Sequence, residues 1–144
     1  MRPYRHLMAA VDFASDTEQV CERAAELARM YQAGLSLIHV VEPIIVEPAY
    51  DVLPALPAGF DAQMQSQARK ELVKIGDRYG VPPERCWLEV GSTKTRILRR
   101  AEEERIDLIV LGSHGRHGVA LLLGSTANAI PHGAPCDVLA VRIH

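Results

Sequence analysis

The residue types able to do chemistry gather in one stretch. Gly112-Ser-His-Gly115-Arg-His-Gly118 leads through the apolar run Val119–Leu123 into Gly124-Ser125-Thr126. Glycines at 112 and 115 let a ligand approach the backbone closely, or let the chain take a positive φ. Gly124-Ser125-Thr126 opens a predicted helix whose unpaired amides and dipole favour an anion, and its two hydroxyls add hydrogen bonds. Together these features can hold a nucleotide, with one loop against ribose and inner phosphate and one helix end against the outer phosphates. The competing reading is a strand-to-helix loop in which the glycines only turn the chain and Ser125 only caps the helix, and composition alone favours it.

The other candidates are single residues. Asp12 ends the first apolar run and is either a ribose-binding carboxylate or a turn residue accepting local amide hydrogen bonds. His114 and His117 read as solvated loop side chains, since nothing in sequence pairs with them. His39 reads as a satisfied core or rim residue, and Arg116 is a weak candidate for neutralising phosphate. The signatures of P-loop hydrolases, dinucleotide-binding folds, zinc proteases and serine hydrolases are all missing from the sequence. No catalytic residue and no metal ligand can be assigned from it. Cys21, Cys86 and Cys136 are too few and too scattered for a disulfide framework or a zinc site, and suit a reducing compartment.

These residues need elements to position them. Apolar runs alternate with segments of helical period, so strands are predicted at His6–Val11, Leu35–Val41, Cys86–Val90, Ile106–Leu111 and Val138–Ile143. Helices are predicted from a Ser15–Glu18 capping box to a stop at Gly34, from Phe60 to Tyr79, from Thr93 to Glu104 and from Ser125 to Ile130. The first helix carries the stripe Val20, Ala24, Leu27, Tyr31. The charged run Arg99–Arg105 reads as a solvated helix face, with Glu102 and Glu103 near Arg99 and Arg105. Three prolines, Pro43, Pro48 and Pro54, make residues 42–58 an irregular connection that lies beside the proposed pocket and could cover it. The alternation predicts a single α/β domain over 1–144, a doubly wound, Rossmann-like parallel sheet of five strands with helices on both faces. In such a sheet ligands sit at the carboxyl ends of the strands where the order reverses, which singles out Asp12 and Gly112–Gly115.

Bulk properties agree. At 144 residues the chain buries enough surface to fold without a staple. A net charge of −2 and two Phe, four Tyr and one Trp argue against a nucleic-acid partner. The apolar stretch Leu7–Asp12 is too short for a signal peptide or a membrane span, which predicts a cytoplasmic protein.

The sequence resembles the universal stress protein A family along its whole length. The resemblance rests on Ala10-Val11-Asp12, Leu35-Ser-Leu-Ile-His-Val40, Asp107-Leu-Ile-Val-Leu-Gly-Ser-His-Gly115, Leu122-Leu-Gly-Ser125 and Pro135-Cys-Asp-Val-Leu-Ala-Val141. It implies a five-stranded parallel domain of the adenine nucleotide alpha hydrolase-like type that pairs as a homodimer. One branch of the family carries Gly-x2-Gly-x9-Gly-Ser/Thr and binds ATP with magnesium; the other lacks the motif and does not bind. Carried over, the resemblance puts Ala10, Asp12 and the Val40 backbone at the adenine and ribose end. Gly112 and Gly115 lie along the ribose and inner phosphate, and Gly124, Ser125 and Thr126 take the phosphates. Two positions depart from the pattern: eight residues separate Gly115 from Gly124, and position 10 is Ala where the binding branch often has Pro. The expected function is a stress-response module that binds an adenine nucleotide. The alternative is a nucleotide-independent homodimer working through protein contacts. In both readings the C-terminal strand forms the dimer, because an apolar edge strand invites a second chain.

Overall fold

The computed structural model describes residues 3–14, 16–43, 60–113 and 134–142. Along the chain these form β1 (His6–Ala10), α1 (Thr17–Tyr31), β2 (Gly34–Val41), α2 (Phe60–Arg78), a single 3₁₀ turn (Pro83–Arg85), β3 (Cys86–Val90), α3 (Thr93–Glu103), β4 (Leu108–Gly112) and β5 (Asp137–Val141). The predicted helix at 125–130 and the connection at 42–58, apart from Glu42 and Pro43, lie outside the described residues.

All five strands run parallel in the order β3-β2-β1-β4-β5. The central strands are buried on both faces, which explains why they read as continuous apolar runs rather than alternating ones. Leu7, Ala9 and Val11 point into one core with α1 and α2, while Met8 and Ala10 point into a second core with Ile97 and Ala101 of α3. The chain steps outward from β1 to β2 to β3, then returns to the far side of β1 for β4 and β5. The β1–β4 boundary is therefore the point where strand order reverses.

Several local expectations shift. α1 starts at Thr17 with Asp16 as its N-cap, whose side chain makes no capping hydrogen bond, and Ser15 of the expected capping box lies outside the described residues. Thr17 instead turns its hydroxyl to Asp12. Gly34 does not close α1; Gln32 does, at φ 53° in the left-handed region, and Gly34 already belongs to β2. An added Cβ at Gly34 would lie 2.7 Å from Nη1 of Arg85, the mobile end of an exposed side chain that can move aside. Tyr31, expected on the buried stripe, is 41% exposed. In the charged run the pairing partner is Arg100, which reaches Glu89 on β3 at 2.8 Å and Glu104 at 3.4 Å. Among the described residues no helix is long and apolar enough to cross a membrane.

Candidate functional site

The candidate site is the carboxyl edge of the sheet at the β1–β4 boundary, where open α/β sheets leave a crevice. β1 pairs Ala10 with Ile38 of β2 and Ala9 with Val110 of β4. Carrying each register forward sets Asp12 beside Val40 on one side and beside the Gly112–Ser113 step on the other. Three expected site positions, Asp12, Val40 and Gly112, thus meet at one edge from three different strands.

Local structure fixes each of them. Val11 N–H still donates to Ile38 O at 2.9 Å, extending the ladder one residue past β1. The chain then turns, and Asp12 Oδ1 accepts from Ala14 N–H at 3.0 Å and from the Thr17 hydroxyl at 3.3 Å. Asp12 is therefore a turn residue that joins β1 to the start of α1. Among the described residues its second oxygen, Oδ2, takes no hydrogen bond and remains available. Val40 is buried, with its side chain in the α3-side core, so it can offer a ligand only backbone. Ala10 is likewise buried in that core, so its side chain is not open to a ligand. Gly112 ends β4 opposite Val141, and the next amide, Ser113 N–H, donates to Val141 O at 2.8 Å. Gly115, Gly124, Ser125 and Thr126 lie outside the described residues, as do His114, Arg116 and His117.

Two features of this edge carry no motif in the sequence. Phe13 sits at φ 64°, an uncommon conformation for a bulky residue that costs of order 1–3 kcal/mol. Its ring stacks on His39, with centroids 4.0 Å apart and planes 26° from parallel. His39 Nδ1 lies 2.6 Å from Val11 O. A carbonyl only accepts, so Nδ1 carries the proton and the ring bridges the ends of β1 and β2. Glu42 is the second feature. Just past β2, its Oε1 accepts from Thr93 N–H at 3.2 Å and from the Thr93 hydroxyl at 2.7 Å. An anion is thereby placed at the N-terminus of α3, where Ser92 makes no side-chain cap. Neither pairing is local, since the partners lie 28 and 51 residues apart (Val11–His39 and Glu42–Thr93).

The cysteines offer no nucleophile. Burial pushes the Cys21 thiol up to about 12; burial, then the Asp137 carboxylate, pushes Cys136 up to about 11; and burial raises Cys86. All three stay protonated at neutral pH, whereas nucleophilic cysteines need the thiolate. Among the described residues no group of three or more His, Cys, Asp or Glu could hold a metal ion.

Comparison with known proteins places this architecture. The model of the universal stress protein family matches residues 3–142. Universal stress protein A homolog 1 of Coxiella burnetii is 41% identical over 138 residues, covering 96% of each chain. Among solved structures, the universal stress protein UspA of Lactobacillus plantarum superposes with a TM-score of 0.65 at 22% identity, over 99% of this chain and 100% of that one. A universal stress protein crystallised in complex with cAMP superposes with a TM-score of 0.57 at 21% identity, over 97% and 98% of the two chains.

Proposed function

The chain belongs to the universal stress protein family, and from that premise we propose that it is a cytoplasmic stress-response module binding an adenine nucleotide across the β1–β4 edge. One observation carries this reading: Asp12, Val40 and Gly112 converge from three strands at the reversal of strand order. A ribose hydroxyl would donate to Asp12 Oδ2, and the base would lie along the backbone beyond Val40. Gly112, at the start of the glycine-rich stretch, gives the inner phosphate access to backbone. Gly115, Gly124, Ser125 and Thr126 would take the rest of the phosphate chain, in the order the sequence predicts. The cAMP complex of a relative with the same fold supports a nucleotide as the ligand class. Magnesium belongs to the proposal only as the ion that accompanies ATP. Binding rather than turnover is the proposed role, and the protonated thiols are consistent with it.

The alternative, a nucleotide-independent homodimer, is favoured by one specific observation: Asp12 Oδ1 is already committed to its own turn. The two readings separate on one experiment. Acid treatment of freshly purified protein, followed by chromatography of the supernatant, is expected to release adenine nucleotide. A Ser125→Ala variant is expected to release less, because loss of one hydrogen bond to an anionic oxygen costs about 1–3 kcal/mol. A nucleotide-free supernatant, with none recovered after incubation with ATP, would favour the alternative.

A further inference from the structure

At the opposite edge of the sheet, α2 runs into β3 through the turn at residues 79–85, and between helix and turn lies a groove of about 600 Å³. The helix side carries three cations within six residues. Arg69 is half-buried and spends its donors on main-chain carbonyls, Nη2 giving to Pro83 O at 3.0 Å and Nη1 to Cys86 O. Those acceptors are neutral, and among the described residues no carboxylate pairs with the guanidinium. Lys70 and Lys74 are exposed, and among the described residues neither joins an ion pair. The turn side is apolar: Pro82 and Pro83 line it, while Val81 beside them is buried in the core shared with α1 and α2. Gly80, at φ 75°, is called for by the turn's backbone conformation and not by space, since an added Cβ there would meet nothing within 4 Å.

We propose that this groove docks an extended acidic peptide segment of a partner protein. Two carboxylates at alternate positions face Lys70 and Lys74, and the apolar side chain between them lies on Pro82 and Pro83. The spacing argues for an extended chain. Residues four apart on a helix are separated by about 6 Å along its axis, and alternate residues of an extended strand by about 6.6–6.8 Å. In such a strand the residue between them points the other way, here toward the apolar wall. Asp77, one turn beyond Lys74, would repel a third carboxylate and so limits the motif to one acidic–apolar–acidic unit. Among the described residues lining the groove none is aromatic, so they offer a base nothing to stack on. A peptide therefore fits it better than a nucleic acid. The site lies at the amino end of the parallel sheet, away from Asp12 and Gly112, so it stands or falls independently of the nucleotide reading.

The test is fluorescence anisotropy of the intact protein with a labelled peptide, Ser-Gly-Glu-Leu-Glu-Gly-Ser. Saturable binding is expected, weakened at least about tenfold by Lys70→Glu with Lys74→Glu and by Gln-Leu-Gln in the peptide, and weakened again by added salt. Replacing Leu by Ser in the peptide should cost a further several-fold. Both lysines are exposed, so the double variant should keep the wild-type circular dichroism and melting temperature. Three results would overturn the proposal: no saturation below about 1 mM, a floor reached at only some 4 kcal/mol of binding; equal binding by the double variant; or a single-stranded oligonucleotide binding these lysines more tightly than the peptide.

Discussion

His6 shows how one side chain links the fold to pH. Its Nε2 lies 2.7 Å from the hydroxyl of fully buried Ser36, and its ring meets Trp87 edge-on at 6.0 Å. Burial, then the Arg85 charge, lowers its pKa below the ordinary 6.5, while Glu104 and Asp107 pull the other way. The folded protein therefore favours neutral His6, and the unfolded chain takes up the proton first as pH falls. This contribution to stability is fully present above about pH 6.5 and is lost as pH drops below that value toward the folded pKa. Melting temperature followed between about pH 8 and 5 should fall more steeply for wild type than for His6→Gln. Parallel curves would contradict the assignment. At this scale the sequence was only partly legible. The turn role of Asp12 shows only once Ala14 and Thr17 are seen to share its Oδ1, because an Asp at a strand end serves either role. Nothing local marks Phe13, a residue type that seldom takes positive φ, because its conformation is held by His39 on another strand.

Among the elements, α2 shows packing overriding propensity. Gly76 sits in the last turns of this helix, where Ala would ordinarily stabilise by about 0.8–1 kcal/mol. An added Cβ, however, would overlap Cys86 Sγ and come within 2.9 Å of Val81 O, at the point where the helix closes on β3. Overpacking of that kind costs about 1–3 kcal/mol. Gly76→Ala should thus lower the urea midpoint, and Cys86→Ala in the same chain should recover part of the loss through coupling of adjacent sites. An unchanged or higher midpoint for Gly76→Ala alone would show that the neighbours yield freely. Element identity was legible because period distinguishes buried strand from amphipathic helix, and β3 matches its predicted bounds, Cys86–Val90. Ends were less legible. Gln32 rather than Gly34 takes the left-handed cap, because Gly34 already pairs with His6 as the first residue of β2.

For the molecule as a whole, the alternation of strands and helices predicts a parallel sheet, and the sheet is there. The order of strands comes from pairing between distant segments, so a sequence of this kind can suggest the reversal but not locate its neighbours. β5 forms one edge, as the proposed homodimer requires, with Asp137 held by the Tyr4 hydroxyl at 2.7 Å. That bond is the largest cause raising the Tyr4 hydroxyl to about 12. Light scattering behind a sizing column should give about twice the 15.9 kDa chain mass. A monomer at tens of micromolar would remove β5 pairing from the account.

Nucleotide binding at the β1–β4 edge is decided by calorimetric titration of the protein with magnesium–ATP. The spacer between Gly115 and Gly124 is eight residues, one short of the binding branch, which withdraws up to about 3.5 Å of reach. The shortened spacer predicts a dissociation constant nearer micromolar than nanomolar, a difference of about 4 kcal/mol. It also predicts tighter binding when one Gly is inserted after Gly118, and loss of binding in Gly115→Val. No heat from wild type, and none from the insertion variant, would contradict it.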